Sequence, residues 1–299
     1  MPDLSVTGLR VLREVAATGS FSAAAVALGY TQSAVSRQVA ALEAAAGRQL
    51  FERRHDGARL TPAGGRLLVR AATVLAELDA ARRELDGLAT AAAAVRLGAF
   101  ASAGAALVPA ALRALARTDP QVQVTLREGT TPSLVRALRA GAIDLAVLAS
   151  APPFRPFDGE APALRVATLS EAELRVAVAA DDPLAAYDTV ELGQLEGRRW
   201  VASRSEAGES LLGVWPGLAG RPEVAFLVRD WLTKLGLVAA GLAITTMPAI
   251  AAPAVPPSVR LLTVRGGAQE LRRAVLARLP GPAAPEITAV AGALHAAAR

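Results

Sequence analysis

The chain has no cysteine among its 299 residues, only two histidines, and a single lysine at position 234. Without thiols it cannot build a disulfide framework, a thiolate metal site or a cysteine nucleophile, and a reducing cytoplasm is the location this composition fits. Neither His55 nor His295 has a nucleophile or a metal-binding partner near it in sequence, so each is expected to be solvated. Asp181 and Asp182 form an acidic pair, but Pro183 follows at once, which reads as a turn rather than an acid–base couple. Glycine-rich phosphate loops of either common pattern are missing. No metal, no cofactor and no enzyme activity are therefore expected. Asp3 and the polar residues beside it argue against a signal peptide, since helical patterning starts immediately. From Lys234 to Arg260 no residue in between is charged, and a span of about 20 apolar residues can cross a bilayer. Here Gly236, Gly241, Pro248, Pro253, Pro256 and Pro257 break the run, so a core helix followed by a core strand at Leu242–Thr246 is expected, and no membrane partner.

What is abundant is arginine. The formal charge is +5, and between Tyr30 and Arg70 seven arginines face three acids, a local excess that suits phosphate. Within that region Thr31 can cap a helix. Val35, Val39, Leu42 and Ala46 then recur at spacings of four, three and four, one apolar helical face. On the opposite side lie Gln32, Ser33, Ser36 and Arg37, short hydrogen-bonding side chains plus one arginine able to grip guanine in a DNA major groove. Taken alone this helix fits an ordinary amphipathic surface helix equally well. Its flanks favour the DNA reading. Upstream, Leu9, Leu12, Val15 and Ala16 stripe a first helix, Ser22 is positioned to cap a second, and Gly29 supplies the turn before the third. Downstream, two short extended runs around Asp56-Gly57 form a hairpin wing carrying Arg53, Arg54 and Arg59.

The phrases GSFSAAAVAL, TQSAVSRQVAALEAAAGRQLFER and RLTPAG occur in that order, and on them the first 65 residues resemble the winged helix-turn-helix of LysR-type transcriptional regulators. The resemblance implies double-stranded DNA as partner. Gln32, Ser33, Ser36 and Arg37 would then reach base edges, and Arg53, Arg54 and Thr61 would hold phosphates. Next, Leu67, Ala71, Val74, Leu78, Ala81, Leu85 and Leu88 alternate at four and three, a coiled-coil seam. It can pack on its own domain or on a second chain. The resemblance implies the second, a linker helix dimerising through Leu67, Val74, Leu78 and Leu85. Gly64-Gly65 should loosen its start.

From Val95 onward strands and helices alternate. Strands are expected at Val95–Phe100, Val122–Leu126, Ile143–Leu148, Glu173–Ala179, Arg199–Ala202, Val224–Val228, Leu242–Thr246, Arg260–Val264 and Leu271–Leu279. Helices are expected at Ala105–Ala116, Ser133–Ala140, Val190–Leu195, Ser210–Leu212, Asp230–Ala240 and Pro285–Ala298. The phrases LRAGAIDLAV, DDPLA and LVAAGLAITTMP are similar to the two-lobed, periplasmic-binding-protein-like effector domain of the same family, with Asp182 where the family usually has histidine. The fold class is thus a two-part α+β and α/β chain. It comprises a winged helix-turn-helix (1–65), a linker helix (66–92) and a two-lobed effector domain (93–299). Lobe I takes 93–165 and 265–299, lobe II 166–264.

Ligands of open α/β sheets sit beyond the carboxyl ends of strands and between domains. By resemblance, the cleft lining comes from Ser102, from Thr130 and Thr131, and from Ser203 and Arg204, at strand-to-helix junctions where free N–H groups and hydroxyls suit a carboxylate. Helix capping explains the same hydroxyls without any ligand. The expected protein is a cytoplasmic LysR-type regulator. The resemblance implies a homodimer, assembling further to a homotetramer, that answers a small-molecule effector and touches RNA polymerase. Two other readings stay open: an enzyme in the α/β region with a regulatory N-terminal domain, and an architectural DNA-binding protein with no effector.

Overall fold

A computed structural model describes residues 3–54, 57–85, 94–160, 163–204, 211–268 and 270–299. Hydroxyl caps start its first three helices and left-handed glycines end them. Helix α1 (Val6–Thr18) is capped by Ser5, whose side chain accepts from the N–H of Gly8. Helix α2 (Phe21–Leu28) is capped by Ser20 rather than by Ser22, because the Ser20 oxygen reaches the Ala23 N–H at 3.3 Å. Helix α3 (Gln32–Ala46) is capped by Thr31. Leu12, Val15 and Val35 are fully buried and Val39 and Leu42 nearly so, so the apolar stripes of α1 and α3 face each other.

Strands β1 (Phe51–Arg54) and β2 (Gly57–Leu60) pair antiparallel to make the wing, with Arg54 opposite Gly57. The tip, His55 and Asp56, lies outside the described residues, and the expectation for His55 falls there. The wing is fastened to α1: the Ala58 N–H donates to the Gly19 carbonyl at 2.8 Å. A Cβ on Gly57 would stand 2.4 Å from that same oxygen, so only glycine fits.

Helix α4 (Pro62–Leu85) begins four residues before the expected linker, with Pro62 in its first turn where a missing N–H costs nothing. Thr61 accepts from the Gly64 N–H at 3.0 Å and donates to the Gln49 carbonyl at 2.8 Å. Gly64 does not loosen this junction. A Cβ there would lie 2.1 Å from the Leu50 oxygen, so the glycine lets the helix pack tightly on the chain entering the wing. Leu68, Ala71 and Leu75 are buried within the chain, whereas Val74 and Leu78 are 45% and 39% exposed. Leu67 is half-buried against the same core as Leu68. The side chain of Leu85, and all of Leu88, lie outside the described residues.

The remaining chain is an α/β domain. Its elements are β3 (Ala94–Ala99), α5 (Ala101–Ala105), α6 (Leu107–Thr118), β4 (Gln123–Glu128), α7 (Thr131–Arg139), β5 (Leu145–Ser150) and β6 (Arg165–Ala179). Then come β7 (Thr189–Glu191), β8 (Arg199–Arg204), β9 (Leu211–Leu212), β10 (Glu223–Leu227), α8 (Trp231–Ala239), β11 (Thr245–Pro248), β12 (Val259–Arg265), β13 (Leu271–Arg278) and α9 (Pro285–Ala297). Three expectations are corrected. The helix expected at Ala105–Ala116 is two helices, broken at Ala106, and Pro109 falls in the first turn of the second. Leu211 and Leu212 are extended and pair with β8 instead of being helical. Thr189–Glu191 is a strand beside β12, and only Leu192–Leu195 turns as 3₁₀.

Strands β4, β3 and β5 run parallel, and β13 lies antiparallel between β5 and β6. The fifteen-residue β6 ties the halves together. Residues 165–173 pair with β13, and residues 174–179 pair with β11 and β12. The expected lobe boundary at 165/166 therefore falls at the start of a strand that belongs to both lobes. A separate sheet in lobe II orders β10, β8 and β9, with β10 and β8 parallel.

The N-terminal domain rests on lobe I. Leu134, Val135 and Leu138 of α7 belong to the same buried cluster as Leu12, Val15 and Leu75. Glu14 of α1 pairs with Arg127 of β4 at 3.5 Å. Burial lowers the pKa of the Arg13 guanidinium below its ordinary value, and repulsion from Arg96 of β3 adds to this.

Candidate nucleic-acid interface and inter-lobe cleft

The outward face of α3 carries polar groups that the fold does not use for packing. Gln32, Ser33 and Arg37 are exposed and Ser36 is half-buried. The Gln32 amide donates to Ser36 Oγ at 3.0 Å, the one bond within this set, and Thr31 and Ser33 share a hydroxyl contact at 3.1 Å. Arg37 has no acidic partner among the described residues. A guanidinium left free beside small hydroxyls, on a helix clamped from behind by Val35, Val39 and Leu42, is poised for a bidentate grip on a base edge. Arg59 on the wing is exposed too. The strand backbone places Arg53 and Arg54 in β1, opposite Ala58 and Gly57; their side chains lie outside the described residues. Thr61 differs from the expectation: its single hydroxyl proton goes to the Gln49 carbonyl, so it holds the helix start and has no proton left for a phosphate.

The residues expected to line the cleft divide in the same way. Thr130 caps α7, accepting from the Ser133 N–H at 3.4 Å. Thr131 Oγ1 donates to the Ala149 carbonyl at 3.2 Å and accepts from the Ala149 N–H at 3.1 Å, fastening α7 to the end of β5. Ser203 Oγ donates to the Val228 carbonyl at 2.6 Å, fastening β8 to the chain leaving β10. These three hydroxyls are spent on backbone or neighbours. Ser102, in the short helix after β3, is 6% exposed, and its hydroxyl has no hydrogen-bond partner among the described residues. Of the five expected lining residues, it alone is shown with an uncommitted donor. The Arg204 backbone ends β8, and its side chain lies outside the described residues.

Other expectations resolve through hydrogen bonding. Asp182 caps a 3₁₀ turn at Pro183–Ala186 and pairs with Arg198, a structural carboxylate as the Pro183 turn implied. His295 is half-buried rather than solvated. Its Nδ1 lies 2.8 Å from the Ala291 carbonyl, and since that oxygen only accepts, Nδ1 carries the proton. The packing of α7 beneath α1 was not anticipated. Its one signal in the sequence is that Leu134, Val135 and Leu138 make a wider apolar face than a sheet-covering helix of nine residues requires. No group of acids and histidines among the described residues could hold a metal. No described helix is long and apolar enough to cross a membrane.

Comparison with known proteins places these two regions. Residues 6–65 match the family profile described as bacterial regulatory helix-turn-helix protein, lysR family, and residues 89–299 match the LysR substrate binding domain. The small neutral protease regulatory protein of Streptomyces coelicolor is 33% identical over 96% of this chain and 93% of its own length. A full-length OxyR variant from Pseudomonas aeruginosa shares the fold with a TM-score of 0.62, at 24% identity, over 99% of this chain and 95% of that one. Full-length CbnR, solved with its target DNA, does so with a TM-score of 0.57, at 22% identity, over 98% and 99%.

Proposed function

The chain belongs to the LysR family of transcriptional regulators, and from that premise we propose which of its residues read DNA, which sense the effector, and how the two are joined. As a family member it is a DNA-binding transcriptional regulator with a C-terminal effector-binding domain. Gln32, Ser33, Ser36 and Arg37 contact base edges in the major groove, and Arg53, Arg54 and Arg59 of the wing hold phosphates. The observation that carries this reading is the outward face of α3, where polar side chains and one unpaired arginine are left over by a helix whose other face is fully packed. Regulation of transcription is the activity, without a catalytic step, and its place of work is the cytoplasm, where the DNA is.

A small-molecule effector binds between the lobes, with Ser102 supplied by lobe I. Thr130, Thr131 and Ser203 shape the cleft by fixing the loops that line it, and Arg204 borders it in sequence. Helix α7 is the coupling element. Its N-terminus at Thr130 and Thr131 borders the cleft, and its side at Leu134, Val135 and Leu138 carries α1 of the DNA-binding domain. A shift of the cleft loops is therefore felt at α1 through packed side chains, which transmit displacement rather than absorb it. Val74 and Leu78 form an apolar row on α4 that the chain itself leaves exposed, and a second copy covers it. Dimers pair to tetramers on DNA and contact RNA polymerase there.

The deciding experiment selects genomic fragments with the purified full-length protein, then titrates the enriched fragment in the presence of metabolite pools. The expected result is one recurrent sequence motif, bound at least a hundredfold more tightly than random DNA of equal length, with an affinity or footprint that a pool changes. Equal binding to all fragments would remove the base-reading role, and a footprint indifferent to every pool would remove the effector role.

A further inference from the structure

The sole lysine of the chain is buried in lobe II. Lys234 lies one turn into α8 and is 6% exposed. Its ammonium makes no hydrogen bond or ion pair with any described residue. Burial pulls its pKa from 10.5 down to about 8. An amine this far from bulk water is costly unless an acceptor meets it, and none of the described residues supplies one.

The surroundings of the amine look built rather than accidental. Gly213 sits at φ +102, just after β9, and a Cβ placed there would lie 3.1 Å from Lys234 Nζ, 2.9 Å from Thr245 Oγ1 and 2.6 Å from the Val201 carbonyl. All three groups therefore converge on the space that a side chain at 213 would fill. The neighbouring polar groups are already matched to one another: Thr245 Oγ1 donates to Val201 O at 2.9 Å and reaches Gly213 O at 3.2 Å. Among the described residues the ammonium is the group left without a partner here. One turn earlier on the same helix, the fully buried Trp231 Nε1 also has no acceptor among the described residues. The position is also the one a ligand would use. Ser203, at the carboxyl end of β8, pairs with Leu212, the residue before Gly213, and bonds to Val228 just ahead of α8. The amine thus lies beside Gly213, which directly follows the residue paired with Ser203 near the carboxyl end of β8, the end of a strand where open α/β sheets take their ligands.

We propose that Lys234 is the charge anchor of an anion site on the lobe II side of the cleft, and that it receives the carboxylate of a monoanionic effector. This rests on the cleft being the effector site. A single carboxylate matches a single ammonium, whereas a dianion would leave a net negative charge buried. Trp231 supplies a further donor on the same helix, and Ser102 meets the uncharged part of the ligand from lobe I.

A chain with one lysine makes the test clean. Full-length protein labelled with ¹³C-lysine has one lysine side chain to follow, and its pKa can be measured in sodium chloride, sodium acetate and sodium phosphate at matched ionic strength. Acetate should raise the value saturably from about 8 toward 10.5, because a carboxylate that binds the ammonium at least tenfold better than the neutral amine must stabilise the protonated form. Chloride should not. Calorimetric uptake of acetate should vanish in Lys234→Met, with DNA affinity in the absence of ligand serving as the control for folding. Identical values in all three salts would overturn the proposal. So would a value near 10.5 in chloride, since a carboxylate of the chain would then already occupy the site. Movement in phosphate with none in acetate would overturn the carboxylate assignment. DNA serves here only as the folding control and enters neither ligand readout, so an affinity for DNA that ignores every ligand is a separate failure, that of the effector-response reading.

Discussion

The proposed DNA-reading face and the proposed effector site are both built from small hydroxyl residues, yet the fold treats them in opposite ways. On α3 the side chains of Gln32, Ser33 and Arg37 stay exposed, and among the described residues their side-chain bonds are Gln32 to Ser36 and Ser33 to Thr31. At the proposed effector site Thr130, Thr131 and Ser203 spend their protons on neighbouring backbone or side chains. What separates a working residue from a structural one is whether the fold has already used its hydrogen-bonding capacity. The linker helix shows the apolar version of the same distinction: Leu68, Ala71 and Leu75 are used by the chain's own core, and Val74 and Leu78 are left over.

The sharpest way to break that comparison is to charge both kinds of linker residue. Leu75→Asp places an unpaired carboxylate in the core and should cost about 3–5 kcal/mol of stability, enough to unfold a marginal domain. Val74→Asp with Leu78→Asp should leave the melting of the protomer close to that of the parent, yet halve the mass seen by light scattering. If the double variant keeps the parent mass, the exposed row is not the dimer seam. If Leu75→Asp is tolerated, the division of the helix into used and unused faces is wrong.

The next largest effect belongs to Arg37. Arg37→Ala should weaken binding to the selected sequence by about 1–3 kcal/mol and change binding to random DNA far less. Thermal stability should stay the same, because the side chain supports nothing. Equal losses on both DNAs in titrations at fixed salt would make Arg37 a phosphate contact.

How far the sequence alone reached follows from the same distinction. The winged helix-turn-helix was legible because its determinants are local: a cap at Thr31, a glycine at 29, and apolar residues at fixed spacing in one helix. The α/β alternation was legible for the same reason. Hydroxyl commitments were not, because Thr131 is bonded to Ala149 and Ser203 to Val228, partners far along the chain that periodicity cannot reveal. Gly64 was misread for a similar reason. Its role is set by the Leu50 carbonyl, 14 residues earlier in the chain. Lys234 was visible as the sole lysine, but its burial depends on α8 packing against β6, β8 and β12, strands that come from distant parts of the chain.

A smaller effect should separate two residues of the cleft. Thr131→Ala removes two bonds to Ala149 and should cost about 0.5–1.5 kcal/mol of stability, the low end applying because Ala149 is exposed and water can substitute. Ser102→Ala breaks no bond within the chain and should cost less than about 0.5 kcal/mol. Once an effector is in hand the order should reverse, with Ser102→Ala weakening it more than Thr131→Ala does. Denaturant midpoints and ligand titrations of the two variants decide this, and a Ser102 variant less stable than the Thr131 variant would mean that its hydroxyl is also structural.

The smallest effect lies at the seam between the two regions. Glu14 and Arg127 join α1 to β4 across 3.5 Å, with side-chain exposures of 15% and 36%. Solvent reaches the arginine, so the pair is worth under about 1 kcal/mol. Close by, Arg13 is held where burial and Arg96 both act against its charge, so the ionic contributions to this contact oppose each other. The contact must then be held by the apolar cluster of Leu12, Val15, Leu134, Val135 and Leu138. A double-mutant cycle of Glu14→Gln and Arg127→Gln should give a coupling below about 1 kcal/mol that fades as salt is added. A salt-insensitive coupling above about 2 kcal/mol would mean that a charge pair, and not the packing of α7, links the DNA-binding domain to the cleft. Neutralising Arg127 would then be enough to uncouple effector from DNA.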